Sequence, residues 1–184
     1  DCTLDNEHFE RLLSEKTRFV AFTLASNLTG SYTDAHRIIS AAKNVGAMTY
    51  ADSVHAAPHM LPDVQALDCD FLACSAYKFY GPHLGFVYGK QEYLESLTPY
   101  KVEPAPSTSP ECWEMGTKSF EALAGFCAAI DYMCSFSDKA TVREQLEEFY
   151  SHVFDYEYSL IEHFFDKARL LPAMNVYGIQ DAEK

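Results

Sequence analysis

The stretch Asp70-Phe71-Leu72-Ala73-Cys74-Ser75-Ala76-Tyr77-Lys78-Phe79-Tyr80-Gly81-Pro82-His83-Leu84-Gly85-Phe86-Val87-Tyr88-Gly89 sets a lysine between two apolar runs. Phe71 to Ser75 reads as a buried strand and Gly85 to Tyr88 as a second one. Lys78 is boxed in by Ser75, Tyr77 and the Gly81-Pro82 turn. The link is too short for a crossover, so the two strands are expected to be antiparallel neighbours. A buried ammonium is costly unless it is paired or neutralised. A Schiff base with an aldehyde cofactor removes that cost, because the nitrogen no longer carries a fully solvated charge. A strand-end lysine that snorkels its amine into water fits the same letters. On this stretch alone both readings stand.

Upstream, Phe19 to Leu24 reads as a fully buried strand that ends in the polar loop Ala25 to Ser31. A helix from Asp34 to Asn44 follows, with Ala35, Ile38, Ile39 and Ala42 at helical spacing and Gly46 as its stop. Met48 to Val54 is the next strand, and a short helix leads into Phe71 to Ser75. This order predicts an α/β fold: three parallel strands plus one antiparallel strand, flanked by helices on both sides. Before it, Asp5 or Asn6 caps a short helix with Phe9, Leu12 and Leu13 on one face. Downstream, Pro99 to Pro110 reads as a loop. A well-buried helix is expected over Phe120–Cys134. A long one is expected from Asp138 to Lys167, with the stripe Leu146, Phe149, Val153, Tyr156, Leu160 and Phe164. Leu171 to Asn175 breaks it, and Val176 to Ile179 reads as a strand beginning.

Composition narrows the function. Asp and Glu number 27 against 14 Lys and Arg, a formal charge of −13, which repels a phosphate backbone and argues against nucleic-acid binding. No apolar run approaches a membrane span, and no signal peptide is read at Asp1, so a cytoplasmic protein is expected. The six cysteines form no C-x-x-C pair and read as small buried hydrophobes of a reducing compartment.

Ligands of open parallel sheets bind at the carboxyl ends of the strands. Ser26 and Asn27, then Asp52 and His55, then Ser75 and Lys78, follow three successive strands and so converge there. Asp52 ends an otherwise apolar strand, where burial needs a cation or several donors; a protonated pyridine nitrogen is such a cation. Capping of the following turn is the other use open to it. His55 lies three residues on and can reach the same ligand. His59 reads as a structural donor, and Pro58 disfavours a helical metal pair with His55, so no metal site is expected. Gly116-Thr117, before the Phe120 helix, suits either a phosphate contact or a plain cap.

Three segments together resemble the class V aminotransferase family, on its cysteine-desulfurase-like branch. They are Ala51-Asp52-Ser53-Val54-His55-Ala56-Ala57-Pro58-His59, Asp63 to Phe71, and Ser75-Ala76-Tyr77-Lys78-Phe79-Tyr80-Gly81-Pro82-His83. The resemblance runs from about Thr3 to Gly178. It implies a fold-type I pyridoxal 5'-phosphate enzyme and a homodimer with an amino-acid substrate. Lys78 would form the Schiff base and shuttle the Cα proton. Asp52 would pair with the pyridinium, His55 with the phenolic oxygen and Ser75 with the phosphate. Tyr77 would line the cofactor, Asn27 would lie near the substrate carboxylate, and Thr117 would reach the partner subunit's phosphate group.

The same resemblance implies a domain plan. Residues 1–137 form the C-terminal half of the cofactor-binding large domain, 138–168 a connecting helix, and 169–184 the start of a small domain. Tyr77 stands where many cysteine desulfurases carry His, and with Asp52 and His55 it is also similar to kynureninase. None of the six cysteines matches the family's sulfur acceptor. The ring-stacking segment and the carboxylate-binding Arg would lie outside the chain, so a central fragment is expected. Such a piece would bind cofactor weakly and turn nothing over alone. The other reading is a non-catalytic interaction module that keeps the fold.

Overall fold

A computed structural model describes residues 2–114 and 116–181, so Met115 beside Gly116-Thr117 and the last three residues of the expected small domain lie outside it. Four strands pair in chain order: β1 (Phe19–Thr23), β2 (Met48–Asp52), β3 (Phe71–Ser75) and β4 (Gly85–Gly89). The first three are parallel and β4 runs antiparallel to β3. Thr23 stands opposite Asp52, Asp52 opposite Ala73, and Ser75 opposite Gly85. The carboxyl ends of β1 to β3 and the start of β4 therefore share one edge, as the short lysine turn requires.

Each connection has a local cause. α1 (Asn6–Leu12) is capped by Asp5, whose carboxylate accepts the His8 N–H. Asp34 accepts the Arg37 N–H and starts α2 (Ala35–Asn44), which buries Ala35, Ile38, Ile39 and Ala42. Asp63 caps α3 (Val64–Leu67) by accepting from Gln65 and Ala66. After β4 come α4 (Gln91–Ser96), the loop to residue 119, α5 (Phe120–Cys134) and α6 (Val142–Ala168).

The core lies on one face of the sheet. Val20, Thr49, Ala51, Leu72 and Cys74 are buried there, and α2, α5 and α6 contribute Ile39, Met133, Phe149 and Tyr150. On the opposite face Phe19, Tyr50, Phe71 and Tyr93 form a row with ring centroids 6.1, 6.2 and 5.8 Å apart. Phe19 is 48% exposed, so β1 is not fully buried and the sheet is not covered on both sides. An apolar run says what both faces tolerate. Coverage needs a second layer, and on this face the described residues supply it at β3 and β4, where Tyr93 and Leu94 of α4 pack, but leave Phe19 open.

Other expectations shift for similar reasons. α5 buries only Ala129, Met133 and Cys134 and is half open rather than well buried. α6 begins after Thr141, not at Asp138, because Thr141 and Glu144 form a reciprocal capping box. Along its stripe Leu146, Phe149 and Val153 pack on the core, whereas Tyr156, Leu160 and Phe164 stay exposed. Among the described residues beyond α6 there is no strand, so Val176 to Ile179 is irregular. Four cysteines are buried as expected, but Cys2 and Cys127 are exposed; all six are free thiols. No helix among the described residues is long and apolar enough to cross a membrane.

Candidate active site

The lysine turn is the tightest part of the sheet edge. Ala76 donates its N–H to the Leu84 carbonyl at 2.8 Å, directly continuing the β3–β4 ladder. Ala76 to Lys78 then make one 3-10 turn, and the Phe79 and Gly81 N–H groups both donate to the Ala76 carbonyl, at 3.0 and 2.9 Å. Lys78 leaves this turn exposed rather than buried, with Nζ 5.0 Å from the centroid of the Tyr77 ring. Tyr77 in turn stacks on His83, with centroids 4.8 Å apart and planes 14° from parallel. An imidazole thus stands one ring away from the lysine amine.

Asp52 ends β2 on the open face and is also exposed, which removes the premise that its burial demands a cation. Its Oδ1 accepts the Val54 N–H at 2.8 Å and holds the turn that follows, leaving the second oxygen free of that contact. The turn carries His55 toward Lys78. Burial first, then the neighbouring His59 and Lys78, hold the His55 imidazole below its ordinary value of 6.5 and favour its neutral form. The His55 and His59 rings meet edge to face at 5.3 Å. His59 Nδ1 lies 2.8 and 3.0 Å from the two Glu157 oxygens on α6, the structural role expected of it. Among the described residues no group of three or more His, Cys, Asp or Glu could hold a metal ion.

Ser75 closes β3, half-buried, and its hydroxyl makes no cap bond to the turn after it. Beside it Cys74 is buried against Ser53, and burial pushes its thiol up to about 11, which keeps it unreactive. Asn27 sits exposed in the turn after β1. That turn is held by Ser26, whose hydroxyl accepts the Leu28 and Thr29 N–H groups at 3.3 and 3.2 Å. Thr117 lies exposed in the loop before α5; Ser119, not Thr117, caps that helix. The structure therefore brings Asp52, His55, Ser75, Tyr77 and Lys78 to one edge and leaves Asn27 and Thr117 on separate loops. Sequence reasoning missed His83 and Glu157. His83 was visible in the lysine turn, but the Glu157 contact spans 98 positions and has no local signal.

A sequence model of the family described as "Aminotransferase class-V" matches residues 1–156. The chain belongs to the class-V aminotransferase family. It is 31% identical over 191 residues to a cysteine desulfurase of Pectobacterium carotovorum, covering 97% of this chain and 44% of that one. A probable cysteine desulfurase of Streptomyces coelicolor is 33% identical, covering 100% of this chain and 44% of that one. The chain thus spans less than half the length of these curated relatives. Among solved structures, the cysteine desulfurase CsdA of Escherichia coli superposes with a TM-score of 0.68 at 29% identity, over 86% of this chain and 41% of that one. The apo cysteine desulfurase of Thermococcus onnurineus shares the fold with a TM-score of 0.72 at 21% identity, over 100% of this chain and 46% of that one. The mixed four-stranded sheet with its lysine turn is therefore a class-V sheet.

Proposed function

We propose that this chain is the lysine-bearing part of a pyridoxal-phosphate-dependent class-V enzyme that acts on an amino acid, of cysteine-desulfurase or aminotransferase type. The observation that supports it best is an exposed amine and an exposed carboxylate at one sheet edge. Lys78 stands over an aromatic ring, and Asp52 accepts the Val54 N–H of its own turn through one oxygen. With the Ser75 hydroxyl and the neutral His55, this donor set fits the cofactor. When bound there, pyridoxal phosphate would supply an aldehyde carbon for covalent attachment and a ring that takes up an electron pair.

The chain's own residues divide the remaining work. Lys78 Nζ holds the group and then carries the proton of the substrate Cα. The Asp52 carboxylate keeps a proton on the ring nitrogen. His55 meets the ring's phenolic oxygen, Ser75 the phosphate, and Tyr77 flanks the ring. Asn27 serves the substrate carboxylate from the β1 loop. Thr117, on the loop before α5, serves the phosphate of a partner subunit in a homodimer. Residues 1–137 act as the large-domain half, 138–168 as connecting helix and 169–184 as the start of a small domain, in a cytoplasmic enzyme.

A second reading is favoured by the exposure of both Lys78 and Asp52. The 184 residues alone keep the fold without turnover, since water reaches a site that catalysis needs dry. Full-length protein carrying this chain should develop a visible absorbance band with pyridoxal phosphate. With L-cysteine and a thiol reductant, it should yield alanine and sulfide. Amino-group exchange with a 2-oxo acid and no sulfide would assign the aminotransferase type, and cleavage of a kynurenine-like side chain the kynureninase type. No band in the full-length protein would refute the proposal.

A further inference from the structure

We propose that Tyr80 is a positioning residue: rings on α5 and α6 hold it in a left-handed backbone conformation, and it thereby fixes how Lys78 leaves the sheet edge. The inference rests on the reading of Lys78 as the covalent lysine.

The turn around Lys78 leaves little room for adjustment. A Cβ at Gly81 would stand 2.8 Å from the Ala76 Cβ and 2.9 Å from its carbonyl oxygen, so the backbone passes too close for any side chain. To enter that crossing, Tyr80 takes φ +67°, a region that residues with a bulky side chain avoid. A glycine would occupy it freely, so a tyrosine there needs compensation from outside the turn. General burial does not provide it, since Tyr80 is 65% exposed.

The compensation is aromatic. The Tyr80 ring meets Tyr132 of α5 at 5.4 Å and 64°, and Phe149 of α6 at 6.4 Å and 81°, both edge-to-face. Those two rings continue through Phe136, at 5.2 Å from Tyr132 and 5.6 Å from Phe149, and through Tyr150, at 5.4 Å from Phe149. Tyr150 donates its hydroxyl to the Ala57 carbonyl at 2.7 Å, in the turn that carries His55. One aromatic group on two helices and the link between them therefore grips the lysine turn through Tyr80 and the His55 turn through Tyr150. The helices behind the sheet thereby tie the Lys78 turn to the His55 turn.

The test uses Tyr80→Gly, Tyr80→Phe and Tyr132→Ala in the full-length protein. Two quantities are read: the melting temperature without cofactor, and the rate at which pyridoxal phosphate becomes reducible onto Lys78 by borohydride, located by peptide mapping. Tyr80→Gly should melt near the parent, because glycine relieves the strained φ as the ring packing is lost, yet capture cofactor about tenfold more slowly or worse. Tyr80→Phe keeps the ring and should restore the parental rate. Tyr132→Ala removes the partner ring without touching the turn, and should slow capture even if Tyr80→Gly fails to fold. Parental capture in folded Tyr80→Gly or in Tyr132→Ala would overturn the proposal. So would capture that falls only in step with melting temperature across the three variants. Parent protein that never labels Lys78 would instead overturn the reading of the lysine, a separate and distinguishable result.

Discussion

Where β2 and β3 begin, Asp70 is buried among partners; where they end, Asp52 and Lys78 stand in solvent. Asp70 accepts the Thr49 N–H at 2.8 Å and the Thr49 hydroxyl at 2.9 Å, and Lys90 reaches its other oxygen at 2.9 Å. Lys90 also binds Asp68 at 2.8 Å, and Asp68 pairs with Lys43. Hydrogen bonds from Lys43 and Lys90 hold the Asp68 carboxyl at about 2. Among the described residues no such closure exists at the carboxyl edge: Asp52 binds its own turn and Lys78 overlies a ring. Buried polar groups must be satisfied internally, whereas groups meant for a ligand must be left short of partners. The same strands serve as scaffold at one end and as site at the other.

The division can be broken by mutation, and the largest effect is expected at the closed end. Asp70→Ala leaves the buried Thr49 N–H without its acceptor and Lys90 with Asp68 alone, and should cost about 2–3 kcal/mol in denaturant unfolding. Asp52→Asn should change unfolding by no more than about 0.5 kcal/mol, since the amide oxygen still accepts from Val54 N–H. The same variant should lower turnover of the full-length enzyme by about 100-fold or more. Equal stability losses in the two variants would erase the distinction between the ends.

A smaller effect concerns pH. His55 titrates below 6.5 in the folded chain, so the unfolded chain takes up a proton that the folded chain resists as pH falls through that value. Stability tied to His55 is present above 6.5 and declines below it; His55→Gln should flatten the decline in melting temperature measured across that range. Smallest of all, a thiol reagent should label Cys2 and Cys127 quickly in the folded protein and the other four cysteines only on unfolding. Early labelling of Cys74 would mean that the site edge is looser than its packing indicates.

What the letters disclosed was local. The short link between Phe71–Ser75 and Gly85–Tyr88 forces an antiparallel pair, and strand-end polars on parallel strands share an edge by topology. The start of α6 was also legible, since Thr141 and Glu144 stand at capping-box spacing, although Asp138 was the expected start. Hidden features depend on distant partners. Exposure of Asp52 and of Phe19 depends on a covering layer that their own neighbours do not encode. The conformation of Tyr80 depends on rings at Tyr132 and Phe149, and the grip on Ala57 on a tyrosine 93 positions away.

The central claim is that the amine at the open edge is the covalent lysine. Full-length protein should be incubated with pyridoxal phosphate, reduced with borohydride, digested and mapped by mass. The account predicts a single pyridoxyl group on Lys78, and its loss in Lys78→Ala with an unchanged unfolding curve. Label on another lysine, or on none, would contradict it.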